Sequence, residues 1–351
     1  MRILIIGGTG LISTAITREL RARGDEVMLF NRGQRALYLD EGNVAEAGAQ
    51  GLRRILGDRH NYAVFEKQMG EIGNFDAVID MICFLPEDAE SAIRAFKGKT
   101  GQYIFCSTVD AYTKPTLRYP IREDAPRAPR VSFPYAFHKA ECERLFEAAH
   151  ARGDLKLTII RPAHTYGEGS GLIHSLGWGT YYFDRLRKGQ PIITHGDGTS
   201  FWASCHRDDV GHAFVGALGN TKAIGRPFHT AADDCMTWNQ YHECVASAIG
   251  APPPKLVHIP TDLLARIAPK EASWCAENFS YNNMFDNAAA RNDLGFRQTI
   301  SLTAGVQRIV AWLDKEGKIE SSAAHPYYDR IIESWERSTA RLVEGLASLN
   351  L

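Results

Sequence analysis

Residues 2–13 read RILIIGGTGLIS, and this stretch decides how the chain folds. Residues 2–6 form a short apolar run rich in β-branched side chains, which is typical of a strand buried on both faces. Three glycines follow within the next four positions, and residues 11–20 then carry apolar side chains at helical spacing. A glycine pattern placed between a strand and a helix indicates a dinucleotide-binding turn.

The glycine turn predicts where the pyrophosphate of a dinucleotide binds. Gly7 permits the tight turn, and Gly10 permits a close approach of the backbone. The N–H groups of Leu11 and Ile12 begin the helix, whose positive end favours an anion. The third position of the pattern is Ser13 instead of glycine. The alternative interpretation is a plain strand–helix turn of another α/β protein.

The ends of the next two strands bear on the choice of cofactor. Residues 25–31 (DEVMLFN) predict a second strand, and no acid follows it to bind a ribose hydroxyl and select NAD. Asn31 and Arg32 stand there, which favours NADP because a guanidinium accommodates the 2′-phosphate. Arg32 as a loop charge, or stacked on adenine, is the alternative. Residues 53–56 predict a third strand, after which Asp58 is either a partner of the adenine amino group or an ordinary loop acid.

Composition limits the classes of function. The 351 residues are 44% hydrophobic and 23% charged, which is ordinary for a globular enzyme. The net charge of −1 gives no field that favours nucleic acid or an anionic membrane. The cysteines and histidines are dispersed without metal-site spacing, so we expect free thiols, a cytoplasmic location and no metal. The first strand starts at residue 2 and no apolar run spans a bilayer, so we expect neither a signal peptide nor a membrane segment.

Further along the chain, strands alternate with helices and lead to a tyrosine–lysine pair. Residues 76–81 and 102–107 predict a fourth and a fifth strand, which favours an open parallel sheet with right-handed crossovers. Tyr135 and Lys139 lie four residues apart in a segment of helical periodicity that runs to about Ala151. This spacing places both side chains on one helix face, an arrangement that is also common on protein surfaces.

The glycine turn, the Ser–Thr pair at the end of the fifth strand and the tyrosine–lysine pair resemble the extended short-chain dehydrogenase/reductase superfamily, NAD-dependent epimerase/dehydratase type. Further segments along nearly the whole chain are similar to the motifs of this family. They are RPAHTYG at 161–167, GDGTSFWASCHRDDVGHA at 196–213, DLGF at 293–296 and GVQRIVAW at 305–312.

The resemblance implies an α/β protein made of a Rossmann-type doubly wound parallel sheet and a smaller C-terminal α/β substrate domain. The dinucleotide-binding domain is expected to comprise residues 1–166 and about 200–222. The substrate-binding domain is expected to comprise about 167–199 and 223–351. Members of the family usually pair through the helix that carries the tyrosine and the helix before it, so we expect a homodimer.

The resemblance also implies roles for the residues around the tyrosine–lysine pair. Tyr135 acts as the base for a substrate hydroxyl, and Lys139 bonds the nicotinamide ribose. A tyrosine pKa near 10 has to fall by about three units, or roughly 4 kcal/mol, which Lys139 and a positive nicotinamide favour. In the T-x-x-x-Y register closed by Tyr112, the hydroxyl that stabilises a developing alkoxide belongs to Thr108. Ser107 is the alternative if the register slips by one residue.

Departures from the family pattern bear on the reaction and the substrate. Val109 and Asp110 replace the Asp–Glu pair of the dehydratases, so dehydration is disfavoured, and Asp110 is a base, a sugar ligand or a loop acid. Phe201 and Trp202 stand where sugar-nucleotide epimerases often place an arginine for the diphosphate. These two rings either stack on a sugar face or pack in the core. His164 replaces a substrate-contacting asparagine and is a candidate sugar ligand.

The missing arginine leaves the nature of the substrate open. Arg185, Arg187 and Lys188 are candidates for a diphosphate clamp that has moved. We favour a free sugar, glycoside or other polyol over a nucleotide sugar.

The leading functional hypothesis is an NAD(P)-dependent epimerase that acts through a transient ketone, and the alternative is a reductase or dehydrogenase with the same residues. A third hypothesis comes from the chloroplast stem-loop RNA-binding relatives. The intact tyrosine–lysine pair and the lack of a basic footprint disfavour RNA, so we expect a small-molecule sugar substrate, with neither nucleic acid nor membrane as a partner.

Overall fold

The computed structural model describes residues 1–34 and 52–347, which fold as an α/β protein. The strands in this part are β1 (Arg2–Ile6), β2 (Glu26–Asn31), β3 (Leu52–Leu56), β4 (Ala77–Asp80), β5 (Tyr103–Cys106), β6 (Leu157–Pro162), β7 (His164–Tyr166), β8 (Ile192–His195), β9 (Phe201–Trp202), β10 (Ser204–His206), β11 (Arg226–Thr230), β12 (Met236–Thr237) and β13 (Leu256–Ile259). The helices are α1 (Leu11–Ala22), α2 (Tyr62–Ile72), α3 (Pro86–Phe96), α4 (Pro134–Ala151), α5 (Tyr181–Arg187), α6 (Arg207–Ala217), α7 (Trp238–Ala248), α8 (Thr261–Ile267), α9 (Leu302–Lys315) and α10 (Pro326–Leu346).

A seven-stranded sheet organises the N-terminal half of the chain. Its strand order is β11-β6-β5-β4-β1-β2-β3, and every pairing is parallel. The predicted Rossmann-type sheet is therefore confirmed, and its first five strands lie within one residue of their predicted bounds. The chain runs from β1 outward to β3 and then crosses to β4 on the other side of β1. The carboxyl end of β1 is thus a topological switch point, the place where such sheets bind ligands.

Helices cover both faces of this sheet, which explains the continuous apolar run of β1. Ile3 and Ile5 pack in one buried cluster with Ile16 of α1, which also contains side chains of α6. Leu4 and Ile6 pack in a second cluster with side chains of α2, α3 and α4. Successive side chains of a strand point to opposite faces, so a strand covered on both sides has no polar positions.

The chain divides into two compact units, and the first differs from the expected dinucleotide domain in two segments. It comprises Met1–Gly167, Ala203–Asp234 and Met284–Ser301. The expected boundary at about residue 222 assigned the last strand of the sheet, β11, to the other domain, yet β11 pairs with β6. The second segment, Met284–Ser301, buries Phe296 in the same core as Ile16.

The second unit comprises Glu168–Trp202, Cys235–Asn283 and Leu302–Leu351. Its sheet structure is limited to short pairs, parallel between β8 and β13 and antiparallel between β9 and β12. Aromatic rings fill its interior: the Trp238 ring centroid lies 4.9 Å from that of Trp202 and 5.0 Å from that of Phe279. None of the helices within 1–34 and 52–347 is long and apolar enough to cross a membrane.

Candidate active site

The turn after β1 has the geometry that its glycines predict. Gly7 has a φ of +88°, and a Cβ atom there would lie 2.5 Å from Cγ2 of Ile82. Ser13 occupies the third glycine position of the pattern and closes the turn through its hydroxyl. Its Oγ accepts the Gly10 N–H at 2.8 Å and donates to the Gly7 carbonyl at 3.0 Å. The N–H groups of the first turn of α1, including Leu11 and Ile12, have no acceptors within the helix and are left for a ligand.

A cavity of about 390 Å³ lies against this turn and brings the other predicted cofactor residues together. Asn31, Arg32 and Asp58 all line it. Oδ1 of Asn31 accepts the Gly33 N–H at 2.9 Å, while its buried Nδ2 has no hydrogen-bond partner among the described residues. Arg32 is exposed and forms no ion pair with any residue of 1–34 or 52–347. The cavity is therefore lined by one exposed guanidinium and by an asparagine whose buried amide nitrogen has no partner among the described residues.

A buried ion pair behind this cavity was not predicted from the sequence. Nη1 of Arg59 lies 2.7 Å from Oδ2 of Asp80, and both side chains are almost fully buried. Burial lowers the pKa of Arg59, but the charge of Asp80, with smaller contributions from neighbouring groups that include Asp88, outweighs burial and raises it. The pair fixes the backbone directly after Asp58. In the sequence, this ion pair is indicated by one feature alone: Arg59 directly follows the Gly–Asp dipeptide that ends the third strand.

The tyrosine–lysine pair lies on α4, as its spacing predicted, and adjoins the cavity through Phe84. Phe84 lines the cavity, and its ring centroid lies 4.6 Å from the Lys139 Nζ and 6.4 Å from the Tyr135 ring centroid. Lys139 is 2% exposed, and its Nζ donates to the Cys106 carbonyl at 2.7 Å. The carbonyl and the ring face together compensate a buried ammonium group, which would otherwise be costly.

The environment of Tyr135 favours its protonated form. Burial raises the pKa of the phenol, and the charges of Asp110 and Cys106 raise it further. A hydrogen bond with Thr108 acts in the opposite direction without reversing the shift. At neutral pH the phenol therefore keeps its proton in the chain alone.

The structure places Thr108, and not Ser107, against the tyrosine. Thr108 hydrogen-bonds Tyr135, and its Oγ1 also donates to Oδ2 of Asp110 at 3.0 Å and accepts the Asp110 N–H at 3.2 Å. Ser107 is buried and its hydroxyl faces Glu143. The T-x-x-x-Y register of the sequence analysis thus agrees with the geometry.

The remaining candidates for substrate binding fall into two groups. His164 lies in the first unit, with Nδ1 2.9 Å from the Ser204 Oγ, and burial lowers the pKa of this histidine to about 3. It is therefore a neutral hydrogen-bonding group. Phe201 and Trp202 lie in the second unit, where Phe201 is half-buried. Trp202 is 5% exposed and packs on Phe279 with centroids 5.0 Å apart, which favours core packing, the second of the two alternatives given for this ring.

The three cations considered for a diphosphate clamp are all engaged within the second unit. The ion pairs are Arg185–Asp329 at 2.6 Å, Arg187–Asp314 at 2.6 Å and Lys188–Asp184 at 2.6 Å. Arg185 is also fully buried. The expectation that one of them replaces the family's arginine is therefore not supported by their positions.

Comparison with known proteins places this geometry in a family. The profile of the NAD dependent epimerase/dehydratase family matches residues 3–230, and the chain belongs to this family. It is thus an NAD(P)-dependent enzyme of the short-chain dehydrogenase/reductase type that acts on a small-molecule substrate.

Individual relatives carry different functions. The chain is 27% identical over 319 residues to 2′-dehydrokanamycin reductase of Streptomyces kanamyceticus. This alignment covers 91% of this chain and 86% of the relative. It is 30% identical over 261 residues to the chloroplast stem-loop binding protein of 41 kDa b of Arabidopsis thaliana, covering 73% of this chain and 65% of the relative. A solved UDP-glucuronic acid 4-epimerase of Bacillus cereus in complex with NAD has the same fold. Its TM-score is 0.68 at 18% identity, with 90% of this chain and 99% of that chain covered.

Proposed function

We propose that the chain reduces a ketone on a sugar or glycoside that carries no nucleotide, with NAD(P)H as the hydride donor. The observation that carries this proposal is Tyr135, held protonated beside Thr108 next to the cavity at the strand ends. A protonated phenol is the form that gives a proton to a carbonyl oxygen as hydride arrives at its carbon. The similarity to a protein named as a reductase, over 91% of this chain, supports the same direction of reaction.

The residues around the cavity suit a dinucleotide. The first-turn N–H groups of α1 would hold its pyrophosphate, Asp58 its adenine, and Asn31 together with Arg32 its adenosine ribose. When bound, the nicotinamide supplies or accepts the hydride. Arg32 supports NADP over NAD, because a guanidinium without an ion-pair partner among the described residues suits a phosphate dianion. We assign the dinucleotide to the first unit and the substrate to the second.

The protein groups divide the work of proton transfer. Tyr135 gives its proton to the substrate oxygen, and Thr108 hydrogen-bonds the same phenol and orients it. Lys139 is positioned by the Cys106 carbonyl and is expected to bond the nicotinamide ribose. Its positive charge, together with that of an oxidised nicotinamide, lowers the cost of the phenolate that remains after transfer.

The proposed substrate class rests on what the second unit offers to an anion. A diphosphate carries two charges and needs arginine or lysine donors in its site. Phe201 replaces the usual arginine, and Arg185, Arg187 and Lys188 are paired with acids of the same unit. Hydroxyl-rich substrates need neutral groups and apolar ring faces instead, and the half-buried ring of Phe201 is such a face in the second unit.

The test is consumption of NADPH with a panel of keto sugars and keto glycosides, run beside calorimetric titration with UDP and other nucleoside diphosphates. We expect turnover of at least one keto compound and no micromolar binding of any diphosphate. Micromolar binding of a nucleoside diphosphate contradicts the substrate class.

An epimerase that acts through a transient ketone is the second candidate, and the family match favours it. Its signature is tightly retained NAD in the purified protein and interconversion of sugars without net consumption of NADPH. A sample that purifies without nucleotide and consumes NADPH stoichiometrically excludes it. We also predict a homodimer formed through α3 and α4, which sedimentation at micromolar concentration checks.

A further inference from the structure

A second lysine lies close to the tyrosine–threonine pair, and nothing above gives it a role. Lys114 follows the turn after β5, and only 8% of its side chain is exposed. Its Nζ lies 3.8 Å from Oδ1 of Asp110. A lysine side chain normally keeps its ammonium group in water, because burying it is costly unless a partner compensates the charge. The position of Lys114 therefore calls for an explanation.

Asp110 connects this lysine to the proposed proton donor. Its two carboxylate oxygens face different partners: Oδ1 faces Lys114, and Oδ2 accepts from the Thr108 Oγ1 at 3.0 Å. A hydroxyl has one hydrogen and a carboxylate only accepts, so the hydrogen of Thr108 goes to Asp110. The same Thr108 hydroxyl hydrogen-bonds Tyr135, so Asp110 and Tyr135 both bear on its direction.

The charges around Tyr135 depend on the same carboxylate. Asp110 and Cys106 raise the pKa of Tyr135 in addition to burial, and Thr108 lowers it. Burial lowers the pKa of Lys114 to about 8, although Asp110 acts to raise it. Lys114 thus loses its charge just above neutral pH, and Asp110 then lacks the attraction of this ammonium group.

We propose that Lys114 is a positioning residue of the reaction, whose ammonium group anchors Asp110 so that Asp110 holds the Thr108 hydroxyl against Tyr135. This inference rests on the proposed function, since it assigns Lys114 to the same proton transfer. Without the ammonium group Oδ1 of Asp110 loses this positive neighbour, the direction of the Thr108 hydroxyl is held less firmly, and the surroundings of Tyr135 become more negative.

Substitutions at two positions test the proposal through kinetics. With the best keto substrate of the panel above, Lys114→Met lowers kcat by about tenfold, because a largely buried ion pair that holds Asp110 is lost. The KM for NADPH stays unchanged, because Lys114 does not line the cofactor cavity. Lys114→Arg restores most of kcat. We also expect the wild-type kcat to fall above about pH 8 and the Lys114→Arg kcat not to fall there, because a guanidinium does not lose its proton in this range.

A spectroscopic titration tests the same proposal without any substrate. The absorbance of the Tyr135 phenolate is obtained in NADP-saturated protein as the difference between each variant and the same variant carrying Tyr135→Phe. We expect Lys114→Arg, which keeps its positive charge in the pH range where Lys114 is neutral, to lower the titration midpoint, and Asp110→Asn to lower it as well. Wild-type midpoints in both variants overturn the proposal, as does a wild-type kcat profile in Lys114→Arg.

The controls separate this inference from the proposed function. Lys97→Met removes an equal charge from an exposed site, where Lys97 pairs with Asp154 at 2.7 Å, and should change neither kcat nor the midpoint. If Tyr135→Phe retains full turnover, the proposed function fails. If Tyr135→Phe is inactive and the Lys114 variants titrate as the wild type, only the role of Lys114 fails. If Lys114→Met does not fold, Asp110→Asn and Lys114→Arg still decide the question.

Discussion

The carboxyl ends of the sheet and the interior of the second unit both bury titratable side chains, but in different ways. At the sheet, Lys139, Asp110 and Lys114 are charged groups placed around Tyr135 and beside a cavity. In the second unit, the His195 and His242 rings both lie against the ring of Trp238. Burial lowers the pKa of His195 to about 4 and of His242 to about 3, so both are neutral.

The difference teaches that burial of titratable groups does not by itself mark a site. Charges that are coupled to each other and border open space are able to change the state of a ligand. Neutral histidines enclosed by rings contribute packing and hydrogen bonds. Nδ1 of His195, for example, lies 3.0 Å from the Oγ of Ser175. The following predictions test this contrast, from the largest expected effect to the smallest.

The largest effect is expected at Tyr135. Tyr135→Phe removes the proton donor and keeps the ring, so turnover should fall by roughly 100- to 10,000-fold, the range of a lost acid–base group. Cofactor affinity should change little, which fluorescence titration with NADPH measures. Lys139→Met is the matched comparison, because it should weaken both turnover and cofactor binding. Near-native turnover of Tyr135→Phe contradicts the assignment of this region as the site.

The second effect distinguishes core from site in the second unit. Trp202→Ala should lower the free energy of unfolding by about 3–5 kcal/mol, because it empties a packed aromatic position. Phe201→Ala removes a half-buried ring, and we expect a smaller loss of stability with a raised KM for the substrate. Urea denaturation and steady-state kinetics on both variants provide the measurement. A stable Trp202→Ala protein with a raised KM would restore the sugar-stacking role that the structure argues against.

The contrast also explains which parts of the fold and of the site could be predicted from the sequence alone. The first five strands, the glycine turn and the pair on α4 follow from local patterns of apolar spacing, and each was predicted. β11 was missed as a member of the sheet because RPFHT is short and polar at its ends, and its partner β6 lies far away in sequence. The Arg59–Asp80 pair and the contact of Asp110 with Lys114 depend on tertiary packing, which no local period encodes.

The third effect concerns cofactor choice. Arg32→Ala should weaken NADP binding by about 1.5–3 kcal/mol more than NAD binding, because a charge-assisted bond to the 2′-phosphate is lost. Calorimetric titration with both cofactors measures the difference. Arg187→Ala serves as a control, since this arginine pairs with Asp314 in the second unit. Equal losses for NADP and NAD would mean that Arg32 only packs on adenine.

The smallest effect per residue is the decrease in the free energy of unfolding that each neutral histidine causes in acid. An unfolded histidine gains a proton below its usual pKa of about 6.5, whereas buried His195 stays neutral down to about pH 4. The contribution of the neutral histidine to the free energy of unfolding is therefore complete above pH 6.5 and is lost as the pH falls toward 4. Each such histidine contributes at most about 1.4 kcal/mol per pH unit.

Denaturant unfolding at pH 7.5 and pH 5.5 measures this slope. His195→Gln should make the curve shallower, and the same change at exposed His212 should not. An unchanged slope in His195→Gln would show that the enclosed histidine does not resist protonation, and the contrast between the two regions would weaken.

The Ser13 hydroxyl in the glycine turn has a consequence for the kinetics of cofactor exchange. It ties Gly10 to Gly7 within the turn itself, so the loop is ordered by the chain's own bonds. A dinucleotide that arrives there spends little of its binding energy on freezing the loop, because that entropy was already lost during folding. Association then proceeds at the rate of collision with a rigid surface, without a slow rearrangement. Such a turn suits a dinucleotide that binds in its reduced form and leaves in its oxidised form in every catalytic cycle.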